Sequence, residues 1–288
     1  MSVVVRVNGR SVGAGSEAIS PLDHGFLYGN GLFETMRALC GQPFALQDHL
    51  RRIREAGLVI GLPVPPEEAL AEEVLAAVAQ AAADDAYVRL TVTRGPGAPG
   101  PDPSTCGAPT VVVVVKPFPE APRHWAEQGL SAVISSIRRS STSPLTRVKS
   151  TSYLECILAK QQARQRGAEE AVLLDTEGNL AEATAWNLFL VDGGWLRTPD
   201  EAGPLLPGIT RAIILRLAAE LSIPSEMAIY EPGRLARAAE AFLTNSLYGV
   251  VPLGRLDGAP IGGGTLGPLT RLLAREYDAL LRADREAR

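Results

Sequence analysis

Apolar residues recur at period two in some stretches of the chain and at helical spacing in others. Val3 to Val7 reads as a strand running into Asn8-Gly9, a hairpin dipeptide tolerant of positive φ. Leu46, Leu50, Ile53 and Ala56 recur every three or four residues, predicting a helix over Phe44 to Gly57 that Gly57 ends. Pro65-Pro66-Glu67-Glu68 opens a second, alanine-rich helix reaching about Ala83. Tyr87 to Thr93 is strand-like, Gly95 to Pro109 is a loop by its Gly and Pro content, and the β-branched run Thr110 to Val115 predicts a buried strand.

Three prolines in Lys116 to Pro122 mark the best domain boundary, giving a smaller N-terminal domain, 1–118, and a larger C-terminal one, 119–288. Beyond it, Leu130 to Ile137 predicts a strand. Tyr153 to Arg166 predicts a helix with Leu154, Ile157, Leu158 and Gln161 on one face and Gly167 beyond its end. Ala171 to Leu174 and Asn187 to Val191 predict strands punctuated by Asp175 to Gly178 and Asp192 to Gly194. Helices follow over Ile209 to Leu221 and Leu266 to Leu281. Strands mixed with helices in both halves predict two α/β or α+β domains.

Composition narrows the function classes. With 46% apolar and 21% charged residues the chain can bury a sizeable core. A net charge of -4 gives no overall basic field for nucleic acid or anionic membrane. Cys40, Cys106 and Cys156 form no CxxC pair, and His24, His49 and His124 lack metal-ligand spacing, so neither a disulfide framework nor a metal site is expected. Cys156 falls on the helix after Lys149 and is expected in the core. The start has no long apolar region and pure apolar runs such as Val111 to Val115 are far too short to span a bilayer, so a cytoplasmic protein is expected. No nucleophile elbow occurs, and Gly262-Gly263-Gly264 lacks the Lys-Ser/Thr of a P-loop.

Three segments carry candidate chemistry. Lys149, near Arg147, has an amine that a closed pocket and a neighbouring cation make easier to deprotonate, as imine formation with an aldehyde requires. Glu182, between a turn and the run Asn187 to Val191, can hold a proton on a pyridine nitrogen. Gly208-Ile209-Thr210 opens a helix after Pro207, where backbone N–H groups, the helix dipole and a hydroxyl suit a phosphate. Arg52 can clamp a phosphate bidentately. Each alone has a plainer reading: a solvated lysine, a strand-edge glutamate, an ordinary helix start, a surface arginine.

Together, and in order, these segments resemble the class IV aminotransferase family of pyridoxal phosphate enzymes, which includes branched-chain and D-amino-acid aminotransferases and 4-amino-4-deoxychorismate lyases. The likeness runs through Tyr28 to Thr35, His49-x-x-Arg52, Thr93-Arg94-Gly95, Lys149, Glu182 with Asn187-Leu188-Phe189, Thr198-Pro199, Leu206 to Arg211, and Thr244-Asn245-Ser246 before Val251-Pro252. The resemblance implies a two-domain fold of the D-amino-acid aminotransferase type, with pyridoxal 5′-phosphate between the domains, a homodimer and a small amine or amino acid substrate. It gives Lys149 the covalent tether and the proton transfer, Glu182 the pyridine nitrogen and Tyr153 the cofactor's phenolic oxygen. It gives Arg52, Gly208, Ile209, Thr210 and Ser246 the phosphate. Tyr28, Phe33, Arg37, Asn245 and Leu247 would line the substrate pocket, with the Arg94 loop as its mobile rim.

Within the family, Leu243-Thr244-Asn245-Ser246-Leu247 and Lys149 to Glu155, with Phe33 to Arg37, resemble the lyase branch. The expectation is therefore release of pyruvate from aminodeoxychorismate to give 4-aminobenzoate, in folate synthesis, with a branched-chain or other transaminase as the alternative. Pro99 tells against the lyase: it stands where D-amino-acid aminotransferases and some lyases place a second arginine, and proline makes no charge-assisted bond. A catalytically idle binding protein of the same fold is a third reading, disfavoured by intact Lys149 and Glu182. Nucleic-acid binding through Arg138, Arg139, Arg147 and Lys149 lacks an aromatic platform.

Overall fold

The computed structural model describes residues 3–286 apart from Ala14, Glu17 and Thr265, with side chains as far as Ala283. The chain divides into two compact units, one of Met1–Pro119, Val148–Ser152 and Arg282–Arg288 and one of Glu120–Arg147 and Tyr153–Leu281. The first break falls in the proline-rich linker, but Val148–Ser152 and the chain end return to the first unit.

The first unit contains β1 (Val4–Val7), β2 (Arg10–Val12), α1 (His24–Tyr28), β3 (Gly31–Leu39), β4 (Gln42–Pro43), α2 (Leu46–Ile60), α3 (Glu67–Ala81), β5 (Asp85–Thr93) and β6 (Thr110–Pro117). Its six strands form an antiparallel sheet in the order β2-β1-β6-β5-β3-β4. One face is apolar at every second residue: Ala86, Val88, Leu90 and Val92 of β5 are buried with Leu50 and Ile53 of α2 and Leu70 and Val74 of α3. The β6 run buries Thr110, Val113 and Val115 and leaves Val111, Val112 and Val114 partly exposed, so it is a strand covered fully on one face rather than on both.

The sequence reading missed β3, the strand that gathers most of this unit's functional groups. Its inward positions are Leu32, Glu34, Met36 and Ala38, all fully buried, so one polar letter interrupts an otherwise regular alternation. Residues 149–151 extend the sheet beside β3. Lys149 O accepts from Phe33 N at 2.9 Å, and Thr151 N donates to Gly31 O at 2.9 Å. That pairing places Lys149 with the first unit, against its assignment to the C-terminal domain from the linker position.

The second unit contains α4 (His124–Gln128), β7 (Leu130–Arg139), α5 (Leu154–Gln165), β8 (Glu170–Asp175), β9 (Leu180–Ala183), β10 (Asn187–Asp192) and β11 (Trp195–Pro199). It continues with α6 (Ile209–Glu220), β12 (Ser225–Ala228), α7 (Pro232–Ala236), β13 (Glu240–Asn245), β14 (Gly249–Leu256), β15 (Ala259–Pro260) and, as far as Leu281, α8 (Pro268–Glu286). A mixed sheet runs β12-β11-β10-β13-β14-β7-β8-β9, with β15 on β14. The pairs β11-β12, β14-β7 and β7-β8 are parallel.

Helix α5 presents the opposite face from the expected one. Cys156, Ala159 and Ala163 are buried, whereas Leu154, Ile157 and Leu158 are 65%, 49% and 44% exposed. Small side chains let α5 lie close on Val133, Ala171 and Leu173, and that close fit outweighs burial of the larger residues. Among the described residues no helix is long and apolar enough to cross a membrane.

Candidate active site

In the first unit, the strand-like pairing of residues 149–151 with β3 fixes the backbone of Lys149. Gly29 lets the chain fit here: it is left-handed, with φ +68°, and a Cβ would lie 2.5 Å from Ser152 Oγ. Thr151 Oγ1 donates to Gly29 O at 2.8 Å. The half-buried Lys149 places Nζ 4.7 Å from the centre of the Phe33 ring, and the Arg89 guanidinium lies 3.7 Å from the same centre. An aromatic face that close favours a cation and restricts the rotamers of both long side chains.

Helix α2 projects His49 and Arg52, one turn apart, at Glu34. Arg52 Nε donates to Glu34 Oε1 at 2.8 Å and Nη2 to Oε2 at 2.6 Å. His49 Nδ1 lies 2.6 Å from Oε2, and His49 Nε2 is buried with no hydrogen-bond partner. Burial alone would raise the Glu34 pKa, but the Arg52 charge and the bonds from His49 and Arg52 hold it down at about 2. Burial lowers the His49 pKa, helped by the Arg52 and Lys149 charges and opposed by Glu34. Sequence reasoning took Arg52 as the phosphate clamp and, although Glu34 and His49 lie in the motifs Tyr28 to Thr35 and His49-x-x-Arg52, gave neither a role. The lone carboxylate at an inward position of β3 was the signal.

Three of the four substrate-side candidates of this unit, Arg37, Arg94 and Tyr28, make the following bonds. Arg37 donates through Nε and Nη2 to Asp85 at 2.8 and 2.5 Å and lies 4.1 Å from the Phe118 ring centre. It stands four residues along β3 from Phe33. Arg94 donates from Nη1 to Gly61 O at 2.7 Å and from Nε and Nη2 to Pro103 O at 3.3 and 3.1 Å, so it fastens its own loop. Tyr28 accepts from Gly100 N at 2.5 Å, and His24 Nε2 bonds Ala98 O at 2.9 Å, pinning the same loop.

In the second unit, Glu182 sits buried on β9. Its Oε1 lies 2.7 Å from Arg139 Nη2, and its Oε2 accepts from Leu206 N at 3.0 Å. Tyr153 stands at the start of α5. Burial raises its phenol pKa, with the Cys156, Glu182 and Glu170 charges adding to the shift and Arg139 opposing it. Tyr153, Glu182 and Arg139 are thus one electrostatic group.

Helix α6 starts at Gly208, in extended conformation, with no side chain capping it. Its first-turn N–H groups therefore take no side-chain cap, which is what an anion site at a helix start needs. A Cβ on Gly208 would lie 1.8 Å from Asn187 Oδ1, and Asn187 Nδ2 donates to Leu206 O at 2.8 Å, so the turn is tied to β10. Arg211, fully buried, braces it from behind, donating to Thr198 Oγ1 at 3.3 Å and Pro199 O at 3.0 Å and pairing with Glu201. Thr210 Oγ1 lies 3.5 Å from Tyr277 OH. After β13, Asn245 Oδ1 accepts from Leu247 N at 3.1 Å and Tyr248 N at 2.9 Å, shaping the turn that carries half-buried Ser246 and Leu247. Thr244 Oγ1, at the end of β13, is buried and lacks a partner.

Each unit taken by itself carries groups that fit part of pyridoxal phosphate: the first a primary amine against an aromatic ring and a held guanidinium, the second a buried carboxylate and a helix start without a side-chain cap.

A family model described as amino-transferase class IV matches residues 31–256. A putative branched-chain-amino-acid aminotransferase of Methanocaldococcus jannaschii is 37% identical over 279 residues, covering 95% of this chain and 94% of that protein. A branched-chain amino acid aminotransferase from the organism abbreviated T.th., solved with pyridoxamine 5′-phosphate, superposes with a TM-score of 0.91 at 29% identity, covering 99% of this chain and 95% of that one. A 4-amino-4-deoxychorismate lyase from Pseudomonas aeruginosa superposes with a TM-score of 0.82 at 31% identity, covering 97% and 98%.

Proposed function

Since the chain belongs to the class IV aminotransferases, enzymes that use pyridoxal 5′-phosphate, we propose that it is a transaminase for amino acids with apolar, branched side chains, with a 2-oxo acid as amino acceptor. The observation that carries this reading is the loop after Arg94. Residues 95–109 contain no lysine or arginine, and the Arg94 guanidinium spends its donors on Pro103 O and Gly61 O. A second substrate carboxylate would lack a cation there, whereas an apolar side chain needs none. The similarity to branched-chain aminotransferases supports the same choice.

When bound, the cofactor supplies an aldehyde carbon that receives the amino group and a ring that takes up the electrons left at the substrate Cα. Lys149 would tether it through Nζ and would be the base that moves the substrate Cα proton. Glu182 holds the proton of the pyridine nitrogen, and Tyr153 bonds the phenolic oxygen. Arg52, the N–H groups of Ile209 and Thr210, and the Thr210 and Ser246 hydroxyls are the donors that would hold the phosphate. Phe33 forms an apolar wall beside Lys149.

The lyase reading favoured by the residue patterns becomes the second one, kept by the likeness to the Pseudomonas lyase. One comparison separates them. Leucine, isoleucine or valine supplied with 2-oxoglutarate should yield glutamate, and aminodeoxychorismate should yield no 4-aminobenzoate. The reverse result would restore the lyase and its place in folate synthesis.

A further inference from the structure

Glu34 is a buried ionised group for which the proposed reaction has no use. It occupies an inward position of β3 between Leu32 and Met36, where an apolar residue would fill the same space. A buried Arg–Glu pair is commonly no more stabilising than well-packed apolar residues of similar volume, so packing alone gives little reason for it.

Its geometry suggests another reason. The Glu34 carboxylate takes Nε and Nη2 of Arg52 together, at 2.8 and 2.6 Å, and such a fork fixes the plane of a guanidinium and so the direction of every N–H it carries. His49, on the same helix face one turn earlier, bonds Oε2 of the same carboxylate at 2.6 Å, the oxygen that also accepts from Arg52 Nη2. Because a carboxylate oxygen only accepts, His49 Nδ1 carries the proton of that bond. Glu34 and Arg52 then cancel in charge, and what the arginine brings to the site is a set of directed donors rather than an unbalanced cation.

We propose that Glu34 is a positioning residue for the cofactor phosphate: with His49 it sets the guanidinium of Arg52 in the orientation that meets the phosphate. The inference rests on the reading of Arg52 as a phosphate contact. It deepens that reading by assigning part of the phosphate's contribution to affinity to a carboxylate that never touches the cofactor.

The test compares two ligands that differ only in the phosphate. The full chain, freed of cofactor, is titrated with pyridoxal 5′-phosphate and with pyridoxal, following absorbance. Glu34→Gln should weaken pyridoxal phosphate about tenfold and leave pyridoxal within about twofold. Arg52→Met should do the same more strongly, and the double variant should be no weaker than Arg52→Met alone. Glu34→Asp, which keeps the charge and shortens the reach, should give an intermediate loss confined to the phosphorylated ligand, and it serves if the glutamine variant does not fold. Equal weakening of both ligands by Glu34→Gln, or additive losses in the double variant, would overturn the proposal. Arg52→Met leaving the ratio of the two affinities unchanged would remove its premise. The substrate comparison above decides the transaminase reading separately, since a mispositioned phosphate does not change which amino acid is accepted.

Discussion

Arg139 and Glu182 form a nearly buried ion pair, Nη2 to Oε1 2.7 Å, with side chains 11% and 9% exposed. Leu206 N occupies the other carboxylate oxygen, and Arg139 also donates to Thr146 O at 2.9 Å. Removing one partner leaves a buried charge, so Arg139→Met should cost about 3 kcal/mol in urea unfolding. Glu182→Gln should cost less, since it still accepts from Leu206 N. Its main effect should be on kcat, a loss on the order of 100-fold with cofactor retention nearly intact. Equal losses of kcat and of retention would count against Glu182 as the partner of the pyridine nitrogen.

The Glu34 cluster predicts how stability responds to acid. The Glu34 pKa falls from 4.5 to about 2 in the folded protein: burial works to raise it, and the Arg52 charge with the His49 and Arg52 bonds prevails. The His49 pKa falls below 6.5, by burial first and by the Arg52 and Lys149 charges, against Glu34. Both groups hold protons less readily when folded than when unfolded. Their stabilisation is therefore complete above the unfolded values and is lost on acidification, from about pH 6.5 for His49 and between about 4.5 and 2 for Glu34. The Glu34 share is about 3 kcal/mol. Glu34→Gln should flatten the fall in unfolding free energy between about pH 5 and about pH 3. An unchanged slope there would place the acid sensitivity elsewhere.

A second buried carboxylate does purely structural work. Glu240 of β13 accepts from Leu269 N at 3.1 Å, Thr270 N at 2.8 Å and Thr270 Oγ1 at 2.7 Å, so it caps α8 from a distant strand. Gly267 permits the approach, since a Cβ there would lie 2.0 Å from Glu240 Cδ. Glu240→Ala should cost about 2 kcal/mol. Amide exchange at Leu269 and Thr270 should quicken by more than about tenfold while α6 amides keep their protection. Uniform loss of protection would mean that the cap does not act locally.

The sequence made legible what local chemistry specifies. Helix α2 followed from spacing, although it runs through Gly57 to Ile60 and is closed by left-handed Gly61; α3 followed from the Pro65-Pro66 start, and the Gly208 turn from Pro-Gly-Ile-Thr before an apolar helix. What escaped depends on distant partners. Strand β3 was obscured by Glu34, whose burial makes sense only with His49 and Arg52 brought from α2. The inverted face of α5 follows from its own small residues, Ala159 and Ala163, which fit closely on Val133, Ala171 and Leu173 of β7 and β8. The sequence positions of Arg37 and Arg94 do not reveal that Asp85 or a main-chain carbonyl is within reach of each. Lys149, placed by number after the linker, pairs with β3 through main-chain bonds that leave no mark on side-chain pattern.

The turn before α6 supplies the last prediction. Gly208 has φ −76° and ψ 134°, a conformation open to alanine, so its need for glycine is spatial. A Cβ would lie 1.8 Å from Asn187 Oδ1 and 3.3 Å from Arg211 Cβ. Gly208→Ala must therefore displace Asn187, break its bond to Leu206 O, or shift the turn that opens α6. The expected cost is about 1–3 kcal/mol. Weaker binding of pyridoxal phosphate should accompany it, with little change for pyridoxal, because the N–H groups of Ile209 and Thr210 move with the turn. Asn187→Ala alone should cost about 1 kcal/mol by leaving the Leu206 carbonyl without its donor. Combined, the two should cost less than their sum, since removing the Asn187 amide makes room for the added methyl. Thermal unfolding of the wild type, the two single variants and the double variant measures this directly. Strict additivity would show that the glycine answers to the main chain and not to Asn187.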